Sequence, residues 1–476
     1  MTIAVPLLPR KAQIVRRDHA VVVGGGIAGL LTARALANHF TRVTLLERDR
    51  FPETPQPRAG TPQSRHLHVL WKRGLLAAEQ LLPGLSAELR EAGAQVMRFP
   101  AEMAWLRATG WRGRFDVTEL ITAGRGVLDW TVRKRVEGTA AVTVLTSREA
   151  VGLLPDESGK QVVGVRFRLK GSKLEEDLPA DLVVDASGRS SAAPKWLAEL
   201  GYPAPEEIRI DSGLGYATRY FEIPEGFQAN WTGLNISTNP RVNRRMGWLY
   251  PQENNRWVVC LCGVNGDYPP TDEAGFLEYA RSLRSPVLYE AIRDAVPVSP
   301  IAGYRQMANH RRFYERMAHW PSGFVVIGDA AAAFNPVYAQ GMTIAALSAL
   351  ALDRCLRSER HPARLARKTQ RAVAREAVGA WTLATNEDLR YPATEGATPG
   401  LRTRLINKYV AKCDVVANVD RVVCEHLVEV LTLNAPLRTL FKPAVLARVL
   451  THKPTPQPRD VDGLTWSDTQ EAVTTP

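Results

Sequence analysis

The segment Gly24-Gly25-Gly26-Ile27-Ala28-Gly29 has the spacing G-x-G-x-x-G and joins an apolar strand, Ala20–Gly24, to a helix predicted over Ile27–Asn38. In such a junction Gly24 permits a tight turn, Gly26 lets the backbone approach a pyrophosphate, and Gly29 lets helix and strand pack closely. Ile27 and Ala28 open the helix, so its amide donors and positive dipole end would face phosphates. Glu47 closes a second strand, Thr41–Glu47, eighteen residues beyond Gly29. A carboxylate there accepts hydrogen bonds from a ribose diol and disfavours a 2′-phosphate, so FAD or NAD fits better than NADP.

A second segment, Gly328-Asp329-Ala330-Ala331, follows the apolar strand Phe324–Ile327, and Pro336 and Gln340-Gly341-Met342 lead into an Ala-rich helix over Thr343–Leu356. Asp329 can receive a ribityl hydroxyl. The amides of Gly341 and Met342 would favour negative charge on the pyrimidine end of a reduced isoalloxazine. A simple NAD dehydrogenase has no use for this second element, so the two together select FAD. Arg48 and Arg58, close to Glu47 in sequence, are further candidates for cofactor contact.

These segments need elements to position them. From His19 to about Gly201 strands and helices alternate; from Gly213 to Gly263 the pattern becomes strand after strand, with a hairpin of Gly247–Pro251 and Arg256–Gly263. After Leu365 the chain reads as helices to about Val449. The expected class is α/β: a discontinuous Rossmann-type FAD-binding domain with an inserted mixed β-sheet substrate domain and a C-terminal helical cap. Its divisions are a flexible extension (1–18), the first part of the FAD domain with some substrate-domain strands (19–205), and the substrate sheet (206–305). The second part of the FAD domain (306–365), a helical region (366–450) and a flexible tail (451–476) follow.

The chain is basic, with 61 Lys and Arg against 49 Asp and Glu. The cations are scattered, with no dense stripe and no nucleic-acid motif, so no nucleic-acid partner is expected. The five cysteines, Cys260, Cys262, Cys355, Cys413 and Cys424, have no zinc or thioredoxin-like spacing and fit a reducing compartment. The N-terminal Arg and Lys residues precede too short an apolar run for a secretory signal, and the apolar stretch Phe324–Leu352 is broken by Asp329, Asn335, Pro336 and Gln340. A cytoplasmic protein without an integral membrane segment is expected.

Three segments in order, Gly24–Gly29 with Glu47, Asp181-Leu182-Val183-Val184-Asp185-Ala186-Ser187-Gly188-Arg189-Ser190-Ser191, and Gly328-Asp329 through Gly341, resemble the fingerprints of the flavoprotein monooxygenase superfamily, the p-hydroxybenzoate-hydroxylase-like fold. Arg125 matches the superfamily's helix arginine near the FAD pyrophosphate. A narrower resemblance, to bacterial polyene epoxidases of polyether-antibiotic pathways, rests on Arg58–His68, Pro203–Glu207, Asp211–Gly213, Ala333–Tyr338 and Trp381–Thr385. It implies FAD, O₂ and an apolar small-molecule substrate, with electrons from NAD(P)H directly or through a separate flavin reductase. The implied reaction is epoxidation of carbon–carbon double bonds of a polyketide or isoprenoid-type metabolite. The alternatives are hydroxylation, or epoxidation with rearrangement, of a (prenylated) aromatic ring, and a saturase or dehydrogenase reaction without oxygen transfer. No catalytic acid or base is assigned.

Two departures stand out. Ser187 occupies the usual Asp of an Asp-Gly pair tied to FAD and NAD(P)H contact, which puts direct NAD(P)H use in question. Ala339 replaces the usual Gly before Gln340 and is expected only to tighten the loop. His66 and His68 share one face of an extended segment and could recruit a metal, but no third ligand accompanies them. Gly247-Trp248-Leu249-Tyr250-Pro251 resembles the Trp-x-Trp signature of flavin-dependent halogenases but lacks its second Trp and reads as a core strand. Tyr216, Tyr220, Trp248, Tyr250 and Trp257 are candidates to line an apolar cavity, with core packing the alternative for each.

Overall fold

A computed structural model describes residues 17–58, 60–240, 242–305, 307–453, 460–461 and 463–465. Most of the expected extension, residues 1–16, and much of the expected tail lie outside the described residues. Two corrections follow at those ends. Arg17 and Asp18 already belong to the first strand, Arg17–Val23. In the tail, Asp460–Val461 pairs with Leu464–Thr465, and the Leu464 carbonyl accepts a hydrogen bond from Trp111 Nε1 at 3.1 Å.

The apolar run around Val21 and Val22 is buried completely because it is the middle strand of a five-stranded parallel sheet. Across that sheet lie Phe324–Val326, Leu182–Asp185, Arg17–Val23, Phe40–Leu46 and Val142–Leu145. Parallel sheets are covered on both faces, which is why these strands read as continuous apolar runs. Register fixes what happens at their carboxyl ends. Val23 pairs with Asp185, and Asp185 with Val326. The glycine turn, the Ala186–Ser191 segment and the Gly328 turn therefore leave the sheet side by side.

The helix Ile27–Leu36 crosses back over the sheet. A Cβ at Gly29 would lie 1.7 Å from the Gly24 carbonyl oxygen, so glycine at 29 is a condition of the crossover. The long helices Gly341–Ser358 and Pro362–Asp388 pack on the same core through residues such as Leu352, Val373 and Ala377. The second of these runs unbroken across the division expected at 365/366, and its first half belongs with the nucleotide core.

A seven-stranded sheet forms the second layer, in the order Ala302–Tyr304, Gly215–Glu222, Arg256–Gly263, Arg245–Gln252, Gly233–Ile236, Met103–Arg107 and Gly110–Trp111. Its period-two alternation separates two cores. Tyr216, Trp248, Tyr250, Cys260 and Cys262 face the cap, whereas Phe221, Leu249, Trp257 and Leu261 pack with the helices Glu273–Arg281 and Val287–Ile292. Burial pushes the Cys260 thiol up to about 12, in keeping with a cysteine that packs as a small apolar group. The cap consists of Leu401–Val416, Arg421–Leu431, a 3₁₀ turn at Leu437–Phe441, and Pro443–Thr451. Among the described residues, no helix is long and apolar enough to cross a membrane.

Replacing Gly29 by Ala forces its methyl into the Gly24 carbonyl, and small-to-large changes of this kind cost about 3 kcal/mol when the backbone cannot yield. Chemical denaturation of Gly29→Ala should show a loss of that size; wild-type stability would mean that the crossover is looser than the geometry indicates.

Candidate functional site

The glycine turn is held from two sides. Gly24 adopts φ +100°, and a Cβ there would meet the Ala186 carbonyl oxygen at 2.6 Å. Gly25 N–H donates to Glu47 Oε2 at 2.7 Å, and Asp49 N–H donates to Glu47 Oε1 at 2.8 Å. Arg58 completes the arrangement: its Nη1 lies 3.1 Å from Glu47 Oε1, and its Nη2 donates to the Gly25 carbonyl at 3.0 Å. Arg58 also stacks on Phe51. Buried Glu47 is thus fixed by two amides and a guanidinium, with lone pairs left for a ribose diol.

Around a Cβ at Gly26 there is no atom within 4 Å, so the backbone faces open space that any side chain would begin to fill. Ile27 and Ala28 line the same space, exposed Arg48 stands at its edge, and Gly29 does not reach it.

Beside the glycine turn, where a Cβ at Gly328 would meet Ala28 Cβ at 2.9 Å, Gly328 takes φ +59° in the 3₁₀ turn Gly328–Ala330 and Asp329 lines the cavity. Burial raises the Asp329 carboxyl above the usual carboxylate range, against the pull of Arg189 and Arg125. Its carboxylate accepts no hydrogen bond from a described residue. Arg125 opens the helix Arg125–Glu137, where Nε donates to Asp129 Oδ1 at 2.6 Å and Nη1 faces His68 Nε2 at 3.1 Å. His68 Nδ1 faces the His66 carbonyl at 2.9 Å. A carbonyl can only accept and a guanidinium only donate, so His68 carries its proton on Nδ1 and offers Nε2 as acceptor. Burial first, then Arg125, holds the His68 imidazolium pKa down to about 3. His66, lowered to about 4 by burial and Arg65, meets Thr218 Oγ1 through Nδ1 at 2.9 Å and packs edge-on to Tyr216. The pair orients an arginine and an aromatic wall.

The loop from Pro336 to Met342 closes the cavity beside Asp329. Asn335 caps the 3₁₀ turn Pro336–Tyr338 by accepting from Val337 N–H, and Gly341 and Met342 begin the helix. Ala339 does more than tighten this loop. It sits at φ +52°, ψ +32°, a left-handed conformation that costs an alanine about 1 kcal/mol. Asp388, at the end of the helix Pro362–Asp388, holds the strained turn. It accepts from Asn309 Nδ2 at 2.6 Å, Asn335 Nδ2 at 3.1 Å and Tyr338 Oη at 2.7 Å. Burial raises the Asp388 carboxyl to about 6 despite these donors. Sequence reasoning singled out Asn335 and Tyr338 within a matching segment but missed Asp388 and Asn309, which carry no local motif.

One cavity of about 640 Å³ runs from Gly24 past Asp329 to the inner face of the seven-stranded sheet. Of the five candidate aromatics, Tyr216, Trp248 and Tyr250 line it; Tyr220 and Trp257 do not. Trp257 points to the opposite sheet face, where it stands edge-on to Phe227 at 4.7 Å. The cavity also takes Trp105 and, from the cap, Leu427, Leu437 and Leu440, which the sequence reading left out. The open space over Gly26 and the Asp329 carboxylate, which accepts no hydrogen bond from a described residue, share this cavity and fit the pyrophosphate and ribityl portions of FAD.

The chain belongs to the FAD binding domain family, which matches it over residues 18–370, and FAD is its cofactor. It is similar to the Mycobacterium tuberculosis protein Rv3254, with 34% identity over 388 residues that cover 79% of this chain and 81% of the relative. Kynurenine 3-monooxygenase of Salinispora tropica is 25% identical over 406 residues, covering 79% of this chain and 81% of that protein. The solved structure of the myxobacterial chondrochloren halogenase CndH shares the fold, with a TM-score of 0.61 at 20% identity over 95% of this chain and all of that one (100%).

Asp388→Ala leaves three buried donors without their acceptor, each a hydrogen bond to a carboxylate worth about 1.5–3 kcal/mol. The strained turn at Ala339 should relax and FAD affinity fall at least about tenfold, or about 1.4 kcal/mol. Fluorescence titration of FAD into the flavin-free variant measures this; unchanged affinity would show that the Asp388 cluster does not govern the loop.

Proposed function

We propose that the protein is an FAD-dependent monooxygenase that places one oxygen atom from O₂ onto an apolar small molecule, with epoxidation of a carbon–carbon double bond in a polyketide or isoprenoid-type substrate as its reaction. The observation that carries this reading is the continuity of the cavity. The space over Gly26 and Asp329 opens without a partition onto a chamber walled by Trp105, Trp248, Tyr250, Leu427 and Leu440. Bound FAD, once reduced, supplies the oxygen activation; the protein supplies position and dryness.

In this reading Gly24, Gly26, Ile27 and Ala28 cradle the pyrophosphate, and Glu47 takes the adenosine ribose. Arg125, set by His68 and Asp129, turns its remaining Nη2 to the phosphate region. Asp329 receives the ribityl chain, Pro336 shapes the turn beside the isoalloxazine, and the helix start at Gly341 and Met342 favours negative charge on its pyrimidine end. Gly29 acts through packing and Arg58 by pinning Glu47, while Arg48 meets the adenosine end from the rim.

The chamber side chains support alkene chemistry over ring hydroxylation. Burial raises the Tyr216 and Tyr250 hydroxyls well above their usual range, Arg125 occupies His68 Nε2, and burial holds the His66 imidazolium down to about 4, which makes it a weak base toward a phenol. A base that ionises a phenol assists oxygen transfer to its ring, whereas an isolated alkene needs none. The second reading, hydroxylation of an aromatic ring, draws on the similarity to kynurenine 3-monooxygenase.

Ser187 bears on the electron source. Its N–H donates to Asp185 Oδ1 at 2.9 Å, and Ser191 donates to the other oxygen of the same carboxyl. Burial already raises the Asp185 pKa, so a carboxylate at 187 would add a like charge beside it. This supports delivery of reduced FAD by a separate reductase.

Supplying chemically reduced FAD and O₂ with a panel of polyene and prenylated aromatic compounds tests the proposal. A product that gains one oxygen at a double bond is the expected outcome, and a phenol would move the assignment to the second reading. Desaturated or reduced products without oxygen would overturn both.

A further inference from the structure

The cap carries its own unexplained surface. Along Leu401–Val416, Leu401, Leu405 and Tyr409 recur at every fourth residue, and Leu401 and Leu405 are 70% and 57% exposed. Tyr409 extends this crest onto the next element: its ring stacks on Phe441 at 4.7 Å, and its hydroxyl donates to the Leu440 carbonyl at 2.6 Å. Phe441 is 40% exposed, and Leu450, on the adjoining helix Pro443–Thr451, is 69% exposed. Leu401, Leu405, Phe441 and Leu450 are four of the eleven exposed large apolar side chains among the described residues.

The charges around the crest are mostly positive, although Arg448, on the helix of Leu450, is paired with Asp420 at 3.2 Å. Arg402, Arg404, Lys408 and Lys412 flank it on one helix, and Arg438 and Lys442 flank Phe441. No acidic residue occurs in 401–413 or 436–453. Some other surface arginines are matched, as Arg166 is by Asp177 and Arg421 by Glu425. The six cations around the crest form no ion pair with a described residue. Exposed leucines and a phenylalanine ringed by unpaired Lys and Arg match the chemistry of an anionic lipid interface, where apolar groups enter the acyl boundary and cations meet headgroups. A protein partner that met only the apolar crest would leave this ring of like charge uncompensated.

The same elements form a wall of the cavity from behind. Val410 on the crest helix, and Leu437 and Leu440 in the turn that ends at Phe441, line it. We propose that this face of the cap docks on an anionic membrane surface, so that the apolar chamber lies directly behind the lipid-contacting elements. The proposal concerns where the protein binds and does not depend on which oxygen transfer it performs.

Flotation of the FAD-loaded full chain with phosphatidylcholine vesicles, with and without phosphatidylglycerol, tests it. Binding should require phosphatidylglycerol, weaken with salt as exposed charges are screened, and fall at least about tenfold in Leu401→Ser/Leu405→Ser and in Lys408→Gln/Lys412→Gln. All four positions are exposed, so flavin absorbance and melting temperature should remain those of the wild type and certify the fold. Absence of flotation with phosphatidylglycerol vesicles would overturn the proposal, as would undiminished flotation of the leucine variant. Concentration-dependent dimerisation in light scattering, abolished by Leu401→Ser/Leu405→Ser and unaccompanied by vesicle binding, would assign the crest to a second copy instead.

Discussion

The register of three parallel strands sets everything else in this protein. Val23, Asp185 and Val326 lie level across the sheet, so three segments distant in sequence leave it at one edge. A slip of one residue in either pairing would turn alternate side chains to the opposite face and move the Gly24 turn away from Ala186, which it touches too closely for any side chain. Asp329 would likewise leave the cavity it shares with Gly26. The buried valines hold the sheet between its covering helices, and the close backbone contacts of Gly24 with Ala186 and of Gly29 with Gly24 tie it to this register.

From that edge the structure is built outward by polar groups that fix one another. Glu47 is held by the amides of Gly25 and Asp49 and by Arg58; Arg125 by Asp129 and His68; the Ala339 turn by Asp388 through Asn309, Asn335 and Tyr338. Each cluster places a backbone or a charge at the cavity while leaving that cavity open. Asp329 is the exception, a carboxylate with raised pKa and no donor among the described residues. In the proposed function, bound FAD completes it.

How much of this could be read from the sequence depended on the range of the interaction. Gly24–Gly29 and Glu47 were legible because turn, helix start and strand end follow one another closely. Asp329 and Gly341 were legible for the same reason. The face of each strand was legible only as parity: alternation sets Trp248 and Trp257 apart, but the inward face is chosen by what packs above it. Ala339 was visible as a departure, yet its left-handed backbone was not, since its cause is a carboxylate at 388. Asp388, Asn309 and the tautomer of His68 depend on partners brought together only by the fold, and no periodicity marks them. The cap leucines read as ordinary helix residues until the sheet's inner face was set beneath them.

The central claim is that Asp329 is a ligand for FAD and not part of the internal framework. Burial raises its pKa, so folding becomes less favourable as pH rises above the ordinary carboxylate range, and the group is a cost to the flavin-free protein. Parallel measurement of FAD affinity by calorimetry and of flavin-free stability by denaturation, for wild type and Asp329→Ala, tests this directly. FAD binding should weaken at least about tenfold, the loss of a charge-assisted hydrogen bond, while the flavin-free protein becomes equally or more stable. Wild-type FAD affinity in the variant, or a loss of affinity accompanied by a matching loss of flavin-free stability, would contradict the account.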